Sequence, residues 1–280
     1  MRVFSQKSAI GTLCVTALLA CGQALPAQAG SVSVDVGYSL QISGFQLAEI
    51  DMKGEFNGGT YKLSGSGKSQ SLAKLIAKFK GWTQSSGAIV GGKIQSGSYN
   101  LDFQMKKKRQ SVAMQLASGK VAKLDIYPPE KPSDTRIPIT ADHRRGVLDP
   151  VSAVIVPLPK GDVSEKTLCN RTVKVFDGRH RYDLALTPKR SAAVPAAGGQ
   201  GNATVFVCKV KYLPIAGHKP EAKDTVYWSA VEDMELWLSP IQSAGVAIPV
   251  RVSVPTPIGQ AVLAVSRLDV TATQDHAALQ

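Results

Sequence analysis

Hydrophobic and polar residues alternate with a period of two along most of the chain after residue 30. Between Val32 and Ile42 the even positions are apolar or aromatic, whereas polar residues such as Asp35 and Gln41 lie between them. Successive side chains of a strand point to opposite faces of a sheet, so this pattern predicts a half-buried β-strand. The alternation continues to an Asn-Gly-Gly sequence at 57–59, which is typical of a hairpin turn.

The same alternation recurs between Tyr99 and Leu116 on both sides of four consecutive basic residues at 106–109, and predicts a hairpin with a basic tip. Further strands are predicted at Val121–Tyr127, Thr172–Phe176, Tyr182–Leu186, Ala203–Tyr212, Thr225–Ser229, Met234–Leu238, Pro249–Val254 and Gln260–Ala272. So many strands favour an antiparallel sheet that curls on itself. The predicted fold is therefore mainly β, a single curled antiparallel sheet in the form of an incomplete barrel or β-spiral, with one short helix packed on it.

That helix is predicted between a cap at Ser69 or Ser71 and an end at Gly81. Its apolar residues have the helical spacing i, i+3, i+4, i+7 and are Leu72, Leu75, Ile76 and Phe79. A helix of this length is marginal alone, so we expect it to pack on the sheet. A role at a membrane surface is the alternative.

Three segments are predicted to be loops from their proline and glycine content: Tyr127–Asp149, Thr187–Asn202 and Leu213–Asp224. The alternation does not change across them and no internal repeat occurs. We therefore predict a single β-rich domain over residues 30–273, followed by a flexible tail at 274–280.

The first 29 residues resemble an export signal. Arg2 and Lys7 precede an apolar segment, 9–20, that is too short to span a bilayer, and Ala-Gln-Ala at 27–29 fits a cleavage site. The prediction is a signal peptide over 1–29 and a periplasmic mature protein. A lipoprotein anchored at Cys21 is one alternative, and a buried helix of a cytosolic protein is another.

Two of the four cysteines, Cys169 and Cys208, lie outside the predicted signal. Cysteines in an oxidising compartment usually pair, and the chain contains no Cys-x-x-Cys redox motif. We predict a structural disulfide, worth roughly 4 kcal/mol in the chain-entropy account. Two buried free thiols are the alternative.

The net charge of +12 is concentrated in one stretch. Between Tyr61 and Lys123 there are twelve basic residues, of which eleven are lysine, and a single acidic residue, Asp102. Lysine suits diffuse attraction to an anionic surface, whereas base readers and bidentate phosphate binders favour arginine. The residues selected as candidates for anion binding are Lys68, Lys74, Lys78, Lys80, Lys106, Lys107, Lys108 and Arg109. A solvated sheet face with protective edge lysines is the alternative.

Motifs for catalysis are largely missing from the sequence. The Gly-Ser-Gly-Lys-Ser sequence at 65–69 lacks the first glycine of a phosphate-binding loop and is interpreted as a turn. His143 with Asp142 or Asp149 is the best candidate for acid–base chemistry, but a solvated loop before a strand is the favoured interpretation of these residues. Pro150 restricts Asp149 to an extended backbone, and a structural corner is the favoured interpretation. No catalytic residue, metal site or cofactor is predicted.

Several segments, taken in order, resemble the proteobacterial family called domain of unknown function 3108. The segments that carry the resemblance are Ile42–Phe45, Ser85–Gly87, Gly146–Ala153 (Gly-Val-Leu-Asp-Pro-Val-Ser-Ala), Cys169–Leu186, Glu235–Leu238 and Ile248–Arg251. The family resemblance implies a periplasmic β-rich envelope protein with no assigned activity.

The sequence therefore predicts a non-enzymatic periplasmic protein that binds an amphipathic or anionic envelope component, a lipid or a cell-wall polymer, through the concave face and the lysine-rich region. Two alternatives are an envelope scaffold or chaperone-like module that binds proteins, and a hydrolase of envelope polymers. Export argues against a nucleic-acid partner in spite of the basic charge, and no transmembrane span is expected after signal cleavage.

Overall fold

The computed structural model describes residues 30–70, 78–195 and 201–273. The predicted signal peptide, with Cys21, and the predicted tail at 274–280 lie outside the described residues. The strands are β1 (Ser31–Ile42), β2 (Phe45–Asn57), β3 (Thr60–Ser69), β4 (Phe79–Val90), β5 (Lys93–Met105), β6 (Lys108–Ala117), β7 (Lys120–Tyr127), β8 (Val156–Pro157), β9 (Arg171–Phe176), β10 (Arg181–Pro195), β11 (Asn202–Ala216), β12 (Met234–Ile241), β13 (Val246–Thr256) and β14 (Gly259–Thr273).

These strands form one antiparallel sheet, which confirms the predicted fold class. The spatial order is β7-β6-β5-β4-β3-β2-β1-β14-β13-β12-β11-β10-β9, and the short β8 pairs only with β13. Most neighbours in the sheet are also neighbours in sequence. The exception is the centre, where β1 pairs with β14 over its whole length, from Ser31 opposite Thr273 to Ile42 opposite Ala261.

The alternation seen in the sequence separates two faces of this sheet. The inner face carries the main apolar cluster, in which Val34 and Val36 of β1 and Leu63 of β3 pack with Ile248 of β13. The outer face carries polar and charged residues such as Lys62. Because strands from both halves of the sheet contribute to one cluster, the sheet must curl around its inner face.

The two edge strands, β7 and β9, do not pair with each other, and the segment 145–148 lies between them. The N–H of Gly146 donates to the carbonyl of Gly119, beside β7, at 2.7 Å. The N–H of Leu148 donates to Lys174 of β9 at 2.8 Å, and Leu148 accepts from the N–H of Phe176 at 2.9 Å. The sheet is thus not closed strand to strand, but this segment links its two edges.

Two short helices occur where none was predicted: α1 (Glu165–Cys169) and α2 (Lys223–Ala230). Ser164 caps α1 reciprocally with Thr167, a pattern visible in the sequence. The predicted strand Thr225–Ser229 is wrong, because these residues belong to α2. Cys169, at the end of α1, forms the predicted disulfide with Cys208 of β11 across a Cα–Cα distance of 5.3 Å.

The helix predicted to end at Gly81 is wrong at its carboxyl end, and Ser69 does not cap it, while the alternative cap, Ser71, lies outside the described residues. Ser69 ends β3, and β4 begins at Phe79 and contains Gly81, while residues 71–77 lie outside the described residues. The turn predicted at 65–69 is also wrong, since these residues continue β3. A Cβ on Gly65 would overlap the sulfur of Met52. Glycine therefore marks close packing against the neighbouring strand and not a turn.

Two predicted loops are shorter than expected. β10 continues to Pro195 and β11 begins at Asn202, within the predicted loop 187–202, and β11 also extends to Ala216. β9 pairs with β10 only up to Leu186, so the rest of β10 lies at an edge. Edge strands and bulges tolerate proline, and the register shifts just after Pro188. The loop predicted after Tyr127 is present and contains a 3₁₀ turn, Asp142–Arg144.

Candidate functional site

An apolar cavity lies between the inner face of the sheet and the segment 150–155. Its volume is about 230 Å³, and its walls come from β1, β2, β3, β4, β13 and β14 on one side and from this segment on the other. Representative lining residues are Val36, Met52, Ile155, Ile248, Val252 and Leu263.

The few polar side chains on the cavity wall have their hydrogen bonds satisfied elsewhere. The hydroxyl of Tyr38 donates to the carbonyl of Pro249 at 2.7 Å, and burial raises its pKa well above the usual value. Thr83 donates to the carbonyl of Asn100 at 3.0 Å. The wall therefore presents almost only carbon.

A buried polar cluster holds the segment 150–155 in place. The carboxylate of Asp149, which has no exposed surface, accepts through Oδ1 from the N–H groups of Val151 and Ser152 at 3.0 and 2.9 Å. Its Oδ2 accepts from the Ser152 hydroxyl at 2.5 Å and lies 3.0 Å from that of Ser85. The backbone N–H of Asp149 donates to Ser96 at 3.2 Å. This is the structural corner predicted at Asp149, and it fixes one wall of the cavity.

Tyr61 completes the cluster. Its hydroxyl lies 2.7 Å from that of Ser152. Burial raises the pKa of Tyr61 to about 12, partly opposed by hydrogen bonds to serines, so the phenol stays protonated and acts as a donor. Because Ser152 has one hydroxyl proton, which goes to Asp149, the order of donation is Tyr61 to Ser152 to Asp149.

Sequence reasoning missed Tyr61, Ser85, Ser96 and Ser152 as members of one cluster. The only signal was the spacing of Asp149 and Ser152, which is typical of a carboxylate that accepts from a turn it begins. The serines of β4 and β5 are placed by the register of the sheet, which alternation alone does not give.

The predicted anion-binding residues do not surround the cavity. Lys68, Lys80 and Arg109 line a cleft of about 640 Å³ on the outer face, the side opposite the cavity. Glu49 and Asp51 of β2 line the same cleft. The inner face and the lysines that the sequence assigned to one binding site thus lie on opposite sides of the sheet.

The other predicted residues that the structure describes lie at one end of the sheet. Arg109 forms a two-point ion pair with Asp102 and is already partnered. Lys106 and Lys107 form the β5–β6 turn, and the N–H of Lys106 donates to the carbonyl of Lys78 at 2.8 Å. Lys108 begins β6, and Lys74 lies outside the described residues.

The candidate acid–base residues are not assembled for catalysis. His143 accepts through Nδ1 from the N–H of Thr140, and Asp142 pairs with Arg145 at 3.3 Å. Among the described residues no hydrogen bond joins His143 to Asp149, whose carboxylate is enclosed by its own turn and by serines. In the same ranges, no group of three His, Cys, Asp or Glu side chains is arranged to hold a metal. Neither helix within them is long and apolar enough to cross a membrane.

Comparison with known proteins gives one family and one solved structure. A family model described as protein of unknown function (DUF3108) matches residues 34–266. A beta-barrel-like protein of the domain of unknown function DUF1849 from Brucella abortus aligns with a TM-score of 0.44 and 12% identity, over 87% of this chain and 98% of that chain. No curated protein matches the chain at a significant level.

Proposed function

The chain belongs to the family of proteins of unknown function called DUF3108, and from that premise we propose that it is a non-catalytic periplasmic protein that holds the hydrocarbon part of an envelope lipid in its inner cavity. The apolar cavity is the observation that carries this proposal. The predicted export signal and the disulfide support the compartment, because disulfides persist in oxidising surroundings.

The size of the cavity favours a slender ligand. Pockets for compact small molecules usually have about 300–1,000 Å³, so a volume of about 230 Å³ suits part of an acyl chain better than a ring system. The wall offers no unpaired hydroxyl to a sugar or a phosphate, since Tyr38 and Thr83 are already bonded. Binding would therefore depend on burial of hydrocarbon.

Partly exposed apolar side chains continue along the inner face beyond the cavity. Leu40 of β1, Val254 of β13 and Phe103 of β5 are half-buried, and the Phe103 ring lies 5.8 Å from that of Phe79. They lie toward the end of the sheet that carries the β1–β2 and β5–β6 turns. A chain longer than the cavity would meet further apolar surface in this direction.

Binding of a fluorescent fatty acid, cis-parinaric acid, by the purified protein tests the proposal. Val252→Phe narrows the cavity, whereas Val262→Phe makes the same change on the outer face of the adjacent strand. We expect saturable binding that Val252→Phe weakens by about tenfold or more, equal to ~1.4 kcal/mol, and that Val262→Phe leaves unchanged.

Native mass spectrometry of protein extracted gently from its own envelope gives a second readout. A bound lipid is expected on the wild type and reduced on Val252→Phe. The proposal is wrong if no acyl probe binds saturably and no lipid copurifies. Copurification of a defined protein instead would favour the scaffold function.

A further inference from the structure

One end of the sheet combines exposed apolar tips with unpaired lysines. In an antiparallel sheet, alternate turns lie at the same end. The end in question carries the turns 43–44, 106–107 and 257–258, together with the end of β3 and the start of β4. We call this the lysine end. The opposite end carries the turns 58–59, 91–92 and 118–119.

Two large apolar side chains project from neighbouring turns at the lysine end. Phe45 is 76% exposed and Ile258 is 75% exposed, the highest values among the large apolar residues described. Ser43 joins the two turns, because its N–H donates to the carbonyl of Gln260 at 3.0 Å and its hydroxyl donates to that of Ile258 at 3.2 Å. The turns that carry these two exposed side chains are therefore tied to each other by hydrogen bonds.

The charge at this end is strongly positive and locally uncompensated. Within the part of the chain that the structure describes, six lysines at this end form no ion pair: Lys68, Lys78, Lys80, Lys106, Lys107 and Lys108. The acidic residues Glu49, Asp51 and Asp102 line the outer cleft beside Lys68 and Lys80. The charge left uncompensated is therefore that of Lys78, before β4, and of Lys106, Lys107 and Lys108 at the β5–β6 turn.

We propose that the lysine end docks on the surface of an anionic lipid bilayer, with Phe45 and Ile258 inserted among the headgroups and the lysines in contact with lipid phosphates. The start of β2 and the start of β6 are four strands apart, or about 19 Å. A flat charged surface can contact Phe45 and the lysines of the β5–β6 turn simultaneously, although they are this far apart. Lysine, which makes diffuse contacts, suits such a surface better than a fixed bidentate ligand.

This inference rests on the proposed function only for the envelope location, since Phe45, Ile258 and the lysines do not line the cavity. The two proposals therefore fail separately. A variant that no longer binds the acyl probe should still bind vesicles. A variant that no longer binds vesicles should still bind the acyl probe in the cavity.

Flotation of the purified protein with vesicles tests docking. One set of vesicles is phosphatidylcholine alone and the other is equimolar phosphatidylcholine and phosphatidylglycerol. We expect binding to the anionic set at low salt, and weakening as salt screens the lysines. Phe45→Ser with Ile258→Ser, and separately Lys78→Gln with Lys107→Gln, should each reduce the bound fraction at a given lipid concentration by about tenfold, as loss of ~1.4 kcal/mol would.

Matched controls come from the opposite end of the sheet. Val90→Ser with Val270→Ser removes exposed apolar groups there, and Lys93→Gln with Lys120→Gln removes charge. These variants should bind like the wild type. Docking is overturned if the wild type ignores both vesicle sets, if it binds neutral vesicles equally well, or if the controls weaken binding as much as the variants at the lysine end.

Discussion

The carboxylate of Asp149 shows how one residue positions a wall of the cavity. It is fully buried and accepts from two backbone N–H groups and a serine hydroxyl within its own turn, with Ser85 of β4 beside it. Hydrogen bonds to a charged acceptor are worth more than neutral ones, and a buried donor left without a partner is costly.

Asp149→Ala is therefore expected to lower the free energy of unfolding by about 3 kcal/mol or more. Asp149→Asn keeps one carbonyl acceptor for the turn and should lower the free energy of unfolding by less than Asp149→Ala does. Urea denaturation provides the measurement, and Asp142→Ala, at a side chain that is 85% exposed, is the control. Equal midpoints for Asp149→Ala and Asp142→Ala would show that the cluster does not stabilise the fold.

Part of this cluster could be predicted from the sequence. The Asp-Pro dipeptide indicated a corner because proline restricts the residue before it. Ser85 and Ser96 could not be predicted, since they are 64 and 53 residues away in sequence from Asp149 and reach it only through strand register. Cys169 and Cys208 were predictable as a pair because they are the two cysteines that follow the predicted signal peptide.

At the scale of elements, local patterns were reliable where one face of a strand is buried. They failed in the β3–β4 region, where Gly65 and Gly67 resemble a turn but fit beneath Met52 and Ile50 of β2. They also failed in β10, where the prolines interrupt the alternation but lie beyond Leu186, in the part of β10 that pairs with β11 and no longer with β9. In both cases the neighbouring strand, which the local sequence does not contain, decides the structure.

The turn between β9 and β10 is an element whose stability depends on pH. It contacts the far side of the sheet, because a Cβ on Gly178 would meet Val112 of β6 at 2.8 Å. In this turn Nδ1 of His180 lies 3.2 Å from the Asp177 carboxylate. The hydrogen bond and charge of Asp177 raise the pKa of His180 above its usual value, although burial opposes this. Burial alone would raise the pKa of Asp177, but the hydrogen bond and charge of His180 and the backbone N–H groups lower it below its usual value.

A raised pKa for His180 means that its contribution to stability is complete below about pH 6.5 and is lost as the pH rises through the folded-state value. The wild type should therefore be more stable than His180→Gln by a margin that shrinks between pH 6 and pH 9. Urea midpoints at several pH values measure this margin. A margin that stays constant or grows over this range would contradict the assignment.

At the scale of the whole molecule, the charge distribution is the property for which the structure differs most from the prediction made from the sequence. The segment from Tyr61 to Lys123 has one acidic residue, yet in the sheet Glu49 lies opposite Lys68 and Glu55 lies opposite Lys62. A count of charges along one segment of the chain does not include the charges on the neighbouring strand of the sheet. What remains uncompensated is the end of the sheet, where turns have no such neighbour.

The whole sheet should also show graded stability. β1 is bonded along its length to β2 and β14 and contributes to the main apolar cluster, whereas β7 has a strand on one side only. Hydrogen exchange followed by mass spectrometry should find the amides of β1 slower than those of β7 by about a hundredfold or more. Equal rates would mean that the sheet opens as a unit and not from its edges.

The pairing of β1 with β14 has a consequence for the order in which the protein matures. Residue 31 lies opposite residue 273 in the sheet. Synthesis begins at the amino end, so one edge of β1 has no partner strand until nearly all of the chain has been made. Contacts this distant in sequence form slowly. An unpaired strand of alternating valines is also a template for aggregation. Completion of the native state is thus a late event, after synthesis of β14, and until then one edge of β1 stays open to pairing with other strands.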